Sequence, residues 1–136
     1  MSMFLEKEWI ESAKLDLTNI QYIINDELLT PIASFHAQQA IEKSLKALLI
    51  SKEIDFKKIH SLQKLFILCK QYMTTDNYDM VDLLDSLYIE SRYPGDMGLL
   101  PYGKPTIEDA KKFYKFAKEI FEQACSLLQI DPEELR

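Results

Sequence analysis

The chain has 136 residues, of which 47% are hydrophobic and 28% charged, and its formal net charge is −6. This length supports a single domain, expected to span residues 1–136 and to bury about two-thirds of its unfolded surface. No apolar run approaches the roughly twenty residues that span a bilayer, and the N-terminus lacks the basic and apolar regions of a signal peptide, so we expect a cytoplasmic protein with no membrane partner.

Cysteine content and net charge further limit the classes of protein to which this chain can belong. Cys69 and Cys125 are too few for a disulfide scaffold and form no CxxC pair, which favours a reducing compartment. The acidic balance argues against a broad surface that binds nucleic-acid phosphates, although a small local site is compatible with it.

Glycine and proline divide the chain into helical segments and one long loop. All three glycines lie between Arg92 and Pro105 together with three of the five prolines. Long segments without either residue are typical of helices, and no stretch alternates with the period of a strand. The sequence therefore predicts an all-α bundle of about five helices.

The first two helices occupy the N-terminal third of the chain. Helix one is predicted from about Ser2 to Ile24 by apolar residues at helical spacing: Leu5, Trp9, Ala13, Leu17, Ile20 and Ile24. Its opposite face is expected to be solvated: Glu6, Lys7, Glu11 and Lys14. Thr30 is expected to cap helix two, with Pro31 at its first position, and this helix is predicted to end near Lys52.

Three further helices are predicted downstream. The third runs from about His60 to Tyr72 and buries Leu62, Leu65, Phe66 and Cys69. The fourth follows a polar break at residues 74–77, and its inner stripe is Val81, Leu84 and Tyr88. The fifth begins at Thr106–Asp109, which is close to a capping box, and ends near Leu128. Its stripe is Ala110, Phe113, Ala117, Ile120, Ala124 and Leu127.

Helix two carries a polar side next to its apolar face. The apolar face consists of Ala33, Ala37, Ala40, Ile41, Ser44, Leu45 and Leu48. Phe35, Gln39, Glu42 and Lys46 lie on the neighbouring side, flanked by Gln38. One interpretation is a solvated surface with an i,i+4 pair between Glu42 and Lys46, which the spacing alone favours. The other is a polar seam that faces a partner or a ligand.

The two histidines do not have the spacing of a metal site. His36 and His60 lie on different predicted helices, and neither belongs to an HxxxH or Cys/His pattern, so no metal and no cofactor are expected. His60 opens a helix, where it can interact with the first backbone amides or pack locally. The alternative is a histidine that faces a ligand or transfers protons.

Four aspartates, Asp76, Asp79, Asp82 and Asp85, recur every third residue. A step of three residues turns by about 300° on a helix, so these carboxylates spread around the cylinder rather than converge on a cation. A hydrated acidic face is the expected result.

Arg92, Tyr93 and Pro94 close helix four and open a loop of about thirteen residues, a length that is often functional in a compact bundle. Arg92 pairs locally with an acidic neighbour in one interpretation. In the other it presents its guanidinium to a phosphate or a carboxylate, with Tyr93 or Tyr102 stacking nearby.

Four short motifs occur in order along the chain: Trp9 with Ala13 and Asp16-Leu17; Phe35-x-x-Gln38-Gln39-Ala40-x-Glu42-Lys43-x-Leu45-Lys46-Ala47; His60-Ser61-Leu62; and Arg92-Tyr93-Pro94. Together they resemble the HEPN domain, the higher-eukaryote and prokaryote nucleotide-binding family, over about Trp9 to Leu128. The resemblance implies an up-and-down helical bundle with a four-helix core, usually a homodimer. Members of that family include substrate-binding partners of small nucleotidyltransferases and metal-independent ribonucleases of toxin–antitoxin and antiviral systems.

The ribonuclease signature of that family is incomplete in this chain. It requires a histidine separated from the arginine by four to six intervening residues, and the corresponding positions after Arg92 hold Met97, Gly98 and Leu99. Metal-free RNA cleavage needs a group that moves protons near neutral pH, which arginine does not do. The residues therefore fit a binding protein better than a nuclease.

The leading hypothesis is a non-catalytic module that binds a nucleotide or another phosphate-containing ligand and works with a separately encoded nucleotidyltransferase. Its expected ligand-binding residues are Arg92, Tyr93, His60, Gln39, Lys43 and Tyr102. The alternative is a ribonuclease toxin with a non-standard residue in place of the absent histidine, and only then is RNA a partner. A purely structural or interaction protein is a third reading.

A homodimer is expected because the chain has more apolar stripe than one bundle core consumes. The residues that suggest it are the alanine-rich side of helix two and a set of aromatic side chains: Tyr88, Tyr93, Phe113, Phe116 and Phe121.

Overall fold

A computed structural model describes residues 4–90 and 103–135, with side chains for all of these except 88–90. It contains five α-helices: α1 (Phe4–Ile23), α2 (Thr30–Ser51), α3 (Leu62–Cys69), α4 (Tyr78–Glu90) and α5 (Ile107–Leu128). Short 3-10 helices lie at Glu27–Leu29 and Pro132–Glu134, and the described part of the chain has no strand. The predicted all-α bundle is confirmed. None of its described helices is both long and apolar enough to cross a membrane.

Helix α2 forms the centre of the bundle. It packs most extensively against α1 and α5, and it also contacts α3 and α4. All seven residues of its predicted apolar face are buried, which confirms that face. The three alanines Ala33, Ala37 and Ala40 are almost completely enclosed, because small side chains let the neighbouring helices approach closely.

The start of α5 is a complete capping box, as its sequence predicts. The Thr106 hydroxyl accepts a hydrogen bond from the Asp109 amide at 3.0 Å, and the Asp109 carboxylate accepts one from the Thr106 amide at 2.9 Å. Two of the otherwise unpaired amides at this helix end are thereby satisfied. The helix stops before Gln129, which has a left-handed backbone with φ 58°.

Thr30 does not cap α2, contrary to the prediction. The helix already includes Thr30, the capping position is Leu29, and no side chain accepts a hydrogen bond there. The Thr30 hydroxyl instead donates to the carbonyl of Pro105 at 2.7 Å in a buried position. The Thr30 hydroxyl therefore forms a tertiary contact between α2 and the segment before α5 instead of the predicted helix cap.

Two predicted stripes are confirmed over most of their length and differ at one end residue each. In α1, Leu5 is exposed and Glu6 is buried, and the fully buried Ile10 completes the inner row. In α5, Leu127 is 48% exposed whereas Leu128 is buried. At each of these helix ends, the residue that faces α2 is buried and its neighbour in the sequence is exposed. Helical spacing alone does not show which of the two adjacent residues faces α2.

Three of the five aromatic residues that suggested a dimer are used by the monomer's own core. Phe113, Phe116 and Phe121 are buried on α5, and the alanine-rich side of α2 is buried as well. The side chain of Tyr88 and all of Tyr93 lie outside the described residues. Exposed apolar side chains occur instead on several elements, and those on the outer side of α1 include Phe4, Leu15 and Tyr22.

Both cysteines are buried free thiols. Burial raises the pKa of the Cys69 thiol to about 12. The pKa of Cys125 rises to about 11, mainly through burial and further through the nearby carboxylate of Glu122. Neither thiol therefore carries thiolate character near neutral pH.

Candidate ligand-binding site on helix α2

The Glu42 carboxylate organises a hydrogen-bonded cluster on α2. Lys46, one turn further along, donates to its Oε2 at 2.7 Å. The side-chain amides of Gln38 and Gln39 lie 3.2 and 3.4 Å from its Oε1. The Glu42 side chain is only 7% exposed, so these donors replace most of its hydration. We refer to Gln38, Gln39, Glu42, Lys46 and His60 as the Glu42 cluster.

His60 joins this cluster from the segment before α3. Its Nδ1 lies 3.0 Å from Oε2 of Glu42 and 3.2 Å from Nζ of Lys46. The neighbour of His60, Ser61, is the N-cap of α3, and its hydroxyl donates a hydrogen bond to the Asp85 carboxylate of α4 at 3.0 Å. This contact fixes the position of His60. His60 therefore contacts side chains of α2, rather than only the first amides of its own helix as expected.

Lys46 is enclosed by aromatic rings as well as by its carboxylate. Its Nζ lies 5.6 Å from the ring centre of Trp9 and 5.4 Å from that of Phe56, within the range of a cation–π contact. The two rings meet edge to face at 6.0 Å. Because Lys46 is 5% exposed, the interpretation of Glu42 and Lys46 as a solvated surface pair is wrong.

A second buried carboxylate, Asp16 of α1, binds two residues of α2. Asp16 accepts hydrogen bonds from His36 Nδ1 at 2.7 Å and from Lys43 Nζ at 2.8 Å, one on each oxygen. Asp16 is 8% exposed, whereas His36 and Lys43 are 25% and 23% exposed. This Asp16 cluster ties α1 to α2 and leaves the two basic side chains at the surface.

Both clusters have the same layered arrangement. The carboxylates of Asp16 and Glu42 lie underneath, and nitrogen-bearing side chains lie above them. We call the outer set, His36, Gln39, Lys43 and His60, the histidine–lysine surface. Gln39 contacts Glu42 and lies one turn from both His36 and Lys43, so it lies between the two clusters along α2.

The structure brings three of the six predicted ligand-binding residues to this region. His60 and Gln39 meet at Glu42, and Lys43 lies beside them but binds Asp16. The other three, Arg92, Tyr93 and Tyr102, lie outside the described residues.

Sequence reasoning did not select His36 or Asp16 for this site. His36 and Lys43 are seven residues apart on α2, which places them on one side of the helix, and Asp16 belongs to one of the quoted motifs. That spacing could have suggested the pair, but the packing of α1 decides which carboxylate reaches them. Across residues 4–90 and 103–135, no group of three or more potential metal ligands converges.

Two of the regularly spaced aspartates are not simply hydrated. Asp85 accepts hydrogen bonds from the amides of Leu62 at 2.6 Å and Gln63 at 3.1 Å, so it caps α3 from another helix. Asp82 accepts a hydrogen bond from the side-chain amide of Gln63. The four carboxylates indeed do not converge, but half of them hold α3 in place.

A cavity of about 440 Å³ lies elsewhere, between the segment before α4 and α5. Its lining includes Lys112 and Lys115 but also Asp76 and Glu119, so the cavity favours neither an anionic nor a cationic ligand. It shares no residue with the histidine–lysine surface. Among the described residues, no buried side-chain nitrogen or oxygen lacks a hydrogen-bond partner.

The family of the chain follows from a match that covers most of its length. A family model described as HEPN domain matches residues 6–128, which include both clusters and all five helices except two residues at the start of α1. This chain belongs to the HEPN family. The resemblance of the four sequence motifs is thereby confirmed.

One solved structure supports the same assignment. The crystal structure of an archaeal HEPN homologue superposes on this HEPN chain with a TM-score of 0.62 and 26% sequence identity. The superposition covers 89% of this chain and 95% of the homologue. No curated protein has a sequence that matches this one.

Proposed function

We propose that this HEPN chain is a non-catalytic, homodimeric module that binds a nucleotide or another phosphate-containing ligand at the histidine–lysine surface. The observation that carries the ligand proposal is the layering of the two clusters. The carboxylates are 7–8% exposed, whereas His36, Lys43 and His60 are 23–47% exposed. An approaching phosphate therefore meets nitrogen-bearing side chains before it meets negative charge.

The local charge is less unfavourable to an anion than that of the chain as a whole. The two lysines, Lys43 and Lys46, formally cancel Asp16 and Glu42, so the region is neutral within a chain whose net charge is −6. Trp9 and Phe56 lie partly buried beside Lys46, and aromatic rings are surfaces on which nucleobases stack.

A thermal-shift series tests this binding proposal. We expect inorganic phosphate, AMP and ATP to raise the unfolding temperature, whereas adenosine has little effect. A ligand present at one hundred times its Kd contributes about 2.7 kcal/mol to stability, which amounts to several degrees for a chain of this size. The absence of a shift with every phosphorylated compound at about millimolar concentration, or an equal shift with adenosine, contradicts the proposal.

We further propose that this module serves as the substrate-binding partner of a separately encoded nucleotidyltransferase. The support is membership of the HEPN family together with the sequence departure at Met97, Gly98 and Leu99 from its ribonuclease signature. Co-expression with the product of an adjacent nucleotidyltransferase gene is expected to yield a stable complex. Separate elution of the two proteins, with and without nucleotide, contradicts this partnership.

The homodimer finds support on α1. Phe4, Leu15 and Tyr22 lie on the outer side of this helix and are 64%, 61% and 85% exposed. Residues eleven and eighteen positions apart fall near one line along a helix, so these side chains form a single apolar row. A second copy that packs on this row removes it from water.

A ribonuclease toxin is the second candidate function. His60 within 3.0 Å of Glu42 favours it, because an imidazole beside a carboxylate is a common acid–base arrangement. This reading predicts growth arrest on expression that disappears in His60→Ala and in Arg92→Ala. Harmless expression of the wild-type chain contradicts it.

A further inference from the structure

The two histidines of the site differ in what their rings can do. The ionised carboxylate of Asp16 only accepts hydrogen bonds, so Nδ1 of His36, 2.7 Å away, must be the donor. In the neutral ring this leaves the lone pair on Nε2. His36 therefore has one fixed tautomer with a nucleophilic nitrogen on the side of the ring that faces away from Asp16.

The contacts at Nδ1 of His60 do not by themselves fix its tautomer. Its Nδ1 lies near an acceptor, Oε2 of Glu42 at 3.0 Å, and also near a donor, Nζ of Lys46 at 3.2 Å. The first contact favours a proton on Nδ1 and the second favours a lone pair there. Although His60 is more exposed than His36, 47% against 25%, its Nδ1 contacts do not assign the lone pair to Nε2.

The surroundings of His36 suit an anionic group attached to Nε2. Within the described residues, the hydrogen bonds of the His36 ring all go through Nδ1 to Asp16. Lys43 binds the other oxygen of the same carboxylate at 2.8 Å, so its ammonium is held near the ring while remaining 23% exposed. A cation in this position offsets the negative charge of a transferred phosphoryl group.

We propose that Nε2 of His36 is a phosphoryl acceptor, modified by a donor of the acyl phosphate or phosphoramidate class. The Nε2 lone pair forms a bond to phosphorus while the bond between phosphorus and the carboxylate oxygen, or the amine nitrogen, of the donor breaks. The leaving group departs with that electron pair as a carboxylate, or as ammonia after it takes up a proton. The ring keeps its Nδ1 proton and becomes cationic, and Asp16 stabilises that charge. This modification does not depend on nucleotide binding.

Phosphoramidate treatment of the intact wild-type protein tests the proposal directly. We expect an acid-labile, alkali-stable phosphoryl adduct that mass spectrometry places on His36, formed faster than any adduct on His60. The His36→Gln variant is expected to lose the fast adduct, whereas His60→Gln keeps it. Equal or faster modification of His60, or no adduct on His36, overturns the proposal.

The Asp16→Asn variant tests the physical cause. Lys43 can only donate, so the new amide oxygen faces Lys43 and the amide NH2 faces Nδ1 of His36, which must then accept. The proton moves to Nε2, and the modification rate is expected to fall at least about tenfold, as for other carboxylates that set a histidine tautomer. An unchanged rate in a variant whose helical circular dichroism matches the wild type overturns the proposal. Nitrogen NMR of the wild-type ring checks the tautomer without any substitution, and a protonated Nε2 in the neutral ring contradicts it.

Discussion

Asp16, Glu42 and Lys46 are buried charges with specific partners, and Lys46 is the most enclosed of the three. Its ammonium contacts the Glu42 carboxylate at 2.7 Å and two aromatic rings at 5.4–5.6 Å. Removing a lysine ammonium from water costs several kcal/mol of free energy. The Glu42 carboxylate offsets this cost only while Glu42 and Lys46 are both present. The pair therefore fixes the local geometry of α2 more than it adds net stability.

Substitution of one member of this pair is expected to be costly. Glu42→Ala leaves the Lys46 ammonium buried without its carboxylate, so we expect the free energy of unfolding to fall by about 3–5 kcal/mol. Chemical denaturation measures the change, and Glu122→Ala on the exposed side of α5 is the matched control, expected to stay within about 0.5 kcal/mol.

The double variant Glu42→Leu with Lys46→Met distinguishes a charge effect from a packing effect. Apolar residues of similar size remove the unpaired charge, so most of the loss in Glu42→Ala is expected to be recovered. A double variant as unstable as the single one contradicts this account of Lys46.

The thiols give a second prediction at the residue scale. Because burial raises the pKa of Cys69 to about 12 and that of Cys125 to about 11, almost no thiolate is present at pH 8. Both cysteines are expected to resist a thiol-specific reagent in the native protein and to react fully in denaturant. Rapid reaction of either one in the folded protein contradicts their buried placement.

At the scale of the elements, α3 depends on another helix for its start. The helix has only eight residues, too few to be stable alone, and its first amides donate to Asp85 of α4 and to Ser61. The same contacts place His60 beside Glu42. The capping of α3 and the assembly of the Glu42 cluster are therefore linked.

Removal of this cap tests the link. Asp85→Ala is expected to lower the free energy of unfolding by about 1–2 kcal/mol, at the upper end of capping effects. It is also expected to loosen His60, which its NMR line shape reports. Asp76→Ala, an exposed carboxylate of the same series, is the control, and equal effects of the two variants contradict the proposed role of Asp85.

The helices themselves were largely predictable because their signals are local. The capping box at Thr106 and Asp109 and the small apolar face of α2 depend on neighbouring residues in the sequence, and both predictions are confirmed. Thr30 was mispredicted because Pro105, 75 residues away, takes its hydroxyl. The sequence pattern contains no information about that contact.

The site was only partly predictable for the same reason. His60, Gln39 and Lys43 could be selected from motifs, but the burial of Glu42 and Lys46 depends on Trp9 and Phe56 from other segments. The partner of Lys43 is Asp16 of α1 rather than a neighbour on its own helix. Side-chain identity is visible in the sequence, whereas pairing across helices is not.

At the scale of the whole molecule, an acidic chain presents a small basic surface over two buried carboxylates. The net charge of −6 opposes the approach of a polyanion over most of the protein. The histidine–lysine surface is less negative than the rest of the protein surface. A small phosphate-containing ligand, which needs only this surface, fits the charge distribution better than a long nucleic acid does.

The apolar row on α1 leads to a prediction about assembly. Light scattering is expected to give twice the 15.9 kDa mass of one chain, and Leu15→Glu with Tyr22→Glu is expected to shift the protein to monomer while the helical content stays unchanged. Lys118→Glu on α5, also exposed, is the control for added negative charge. A wild-type protein that is monomeric at all accessible concentrations contradicts the dimer.

The most direct test of the account is calorimetric titration of a phosphorylated nucleotide into wild-type protein and into two lysine variants. Lys43→Gln removes a charged donor from the histidine–lysine surface and is expected to weaken binding about tenfold or more, as the loss of a charge-assisted hydrogen bond predicts. Lys118→Gln makes the same charge change on a distant helix and is expected to leave Kd unchanged. Equal affinities of the two variants, or no binding to the wild type, contradict a phosphate site on α2.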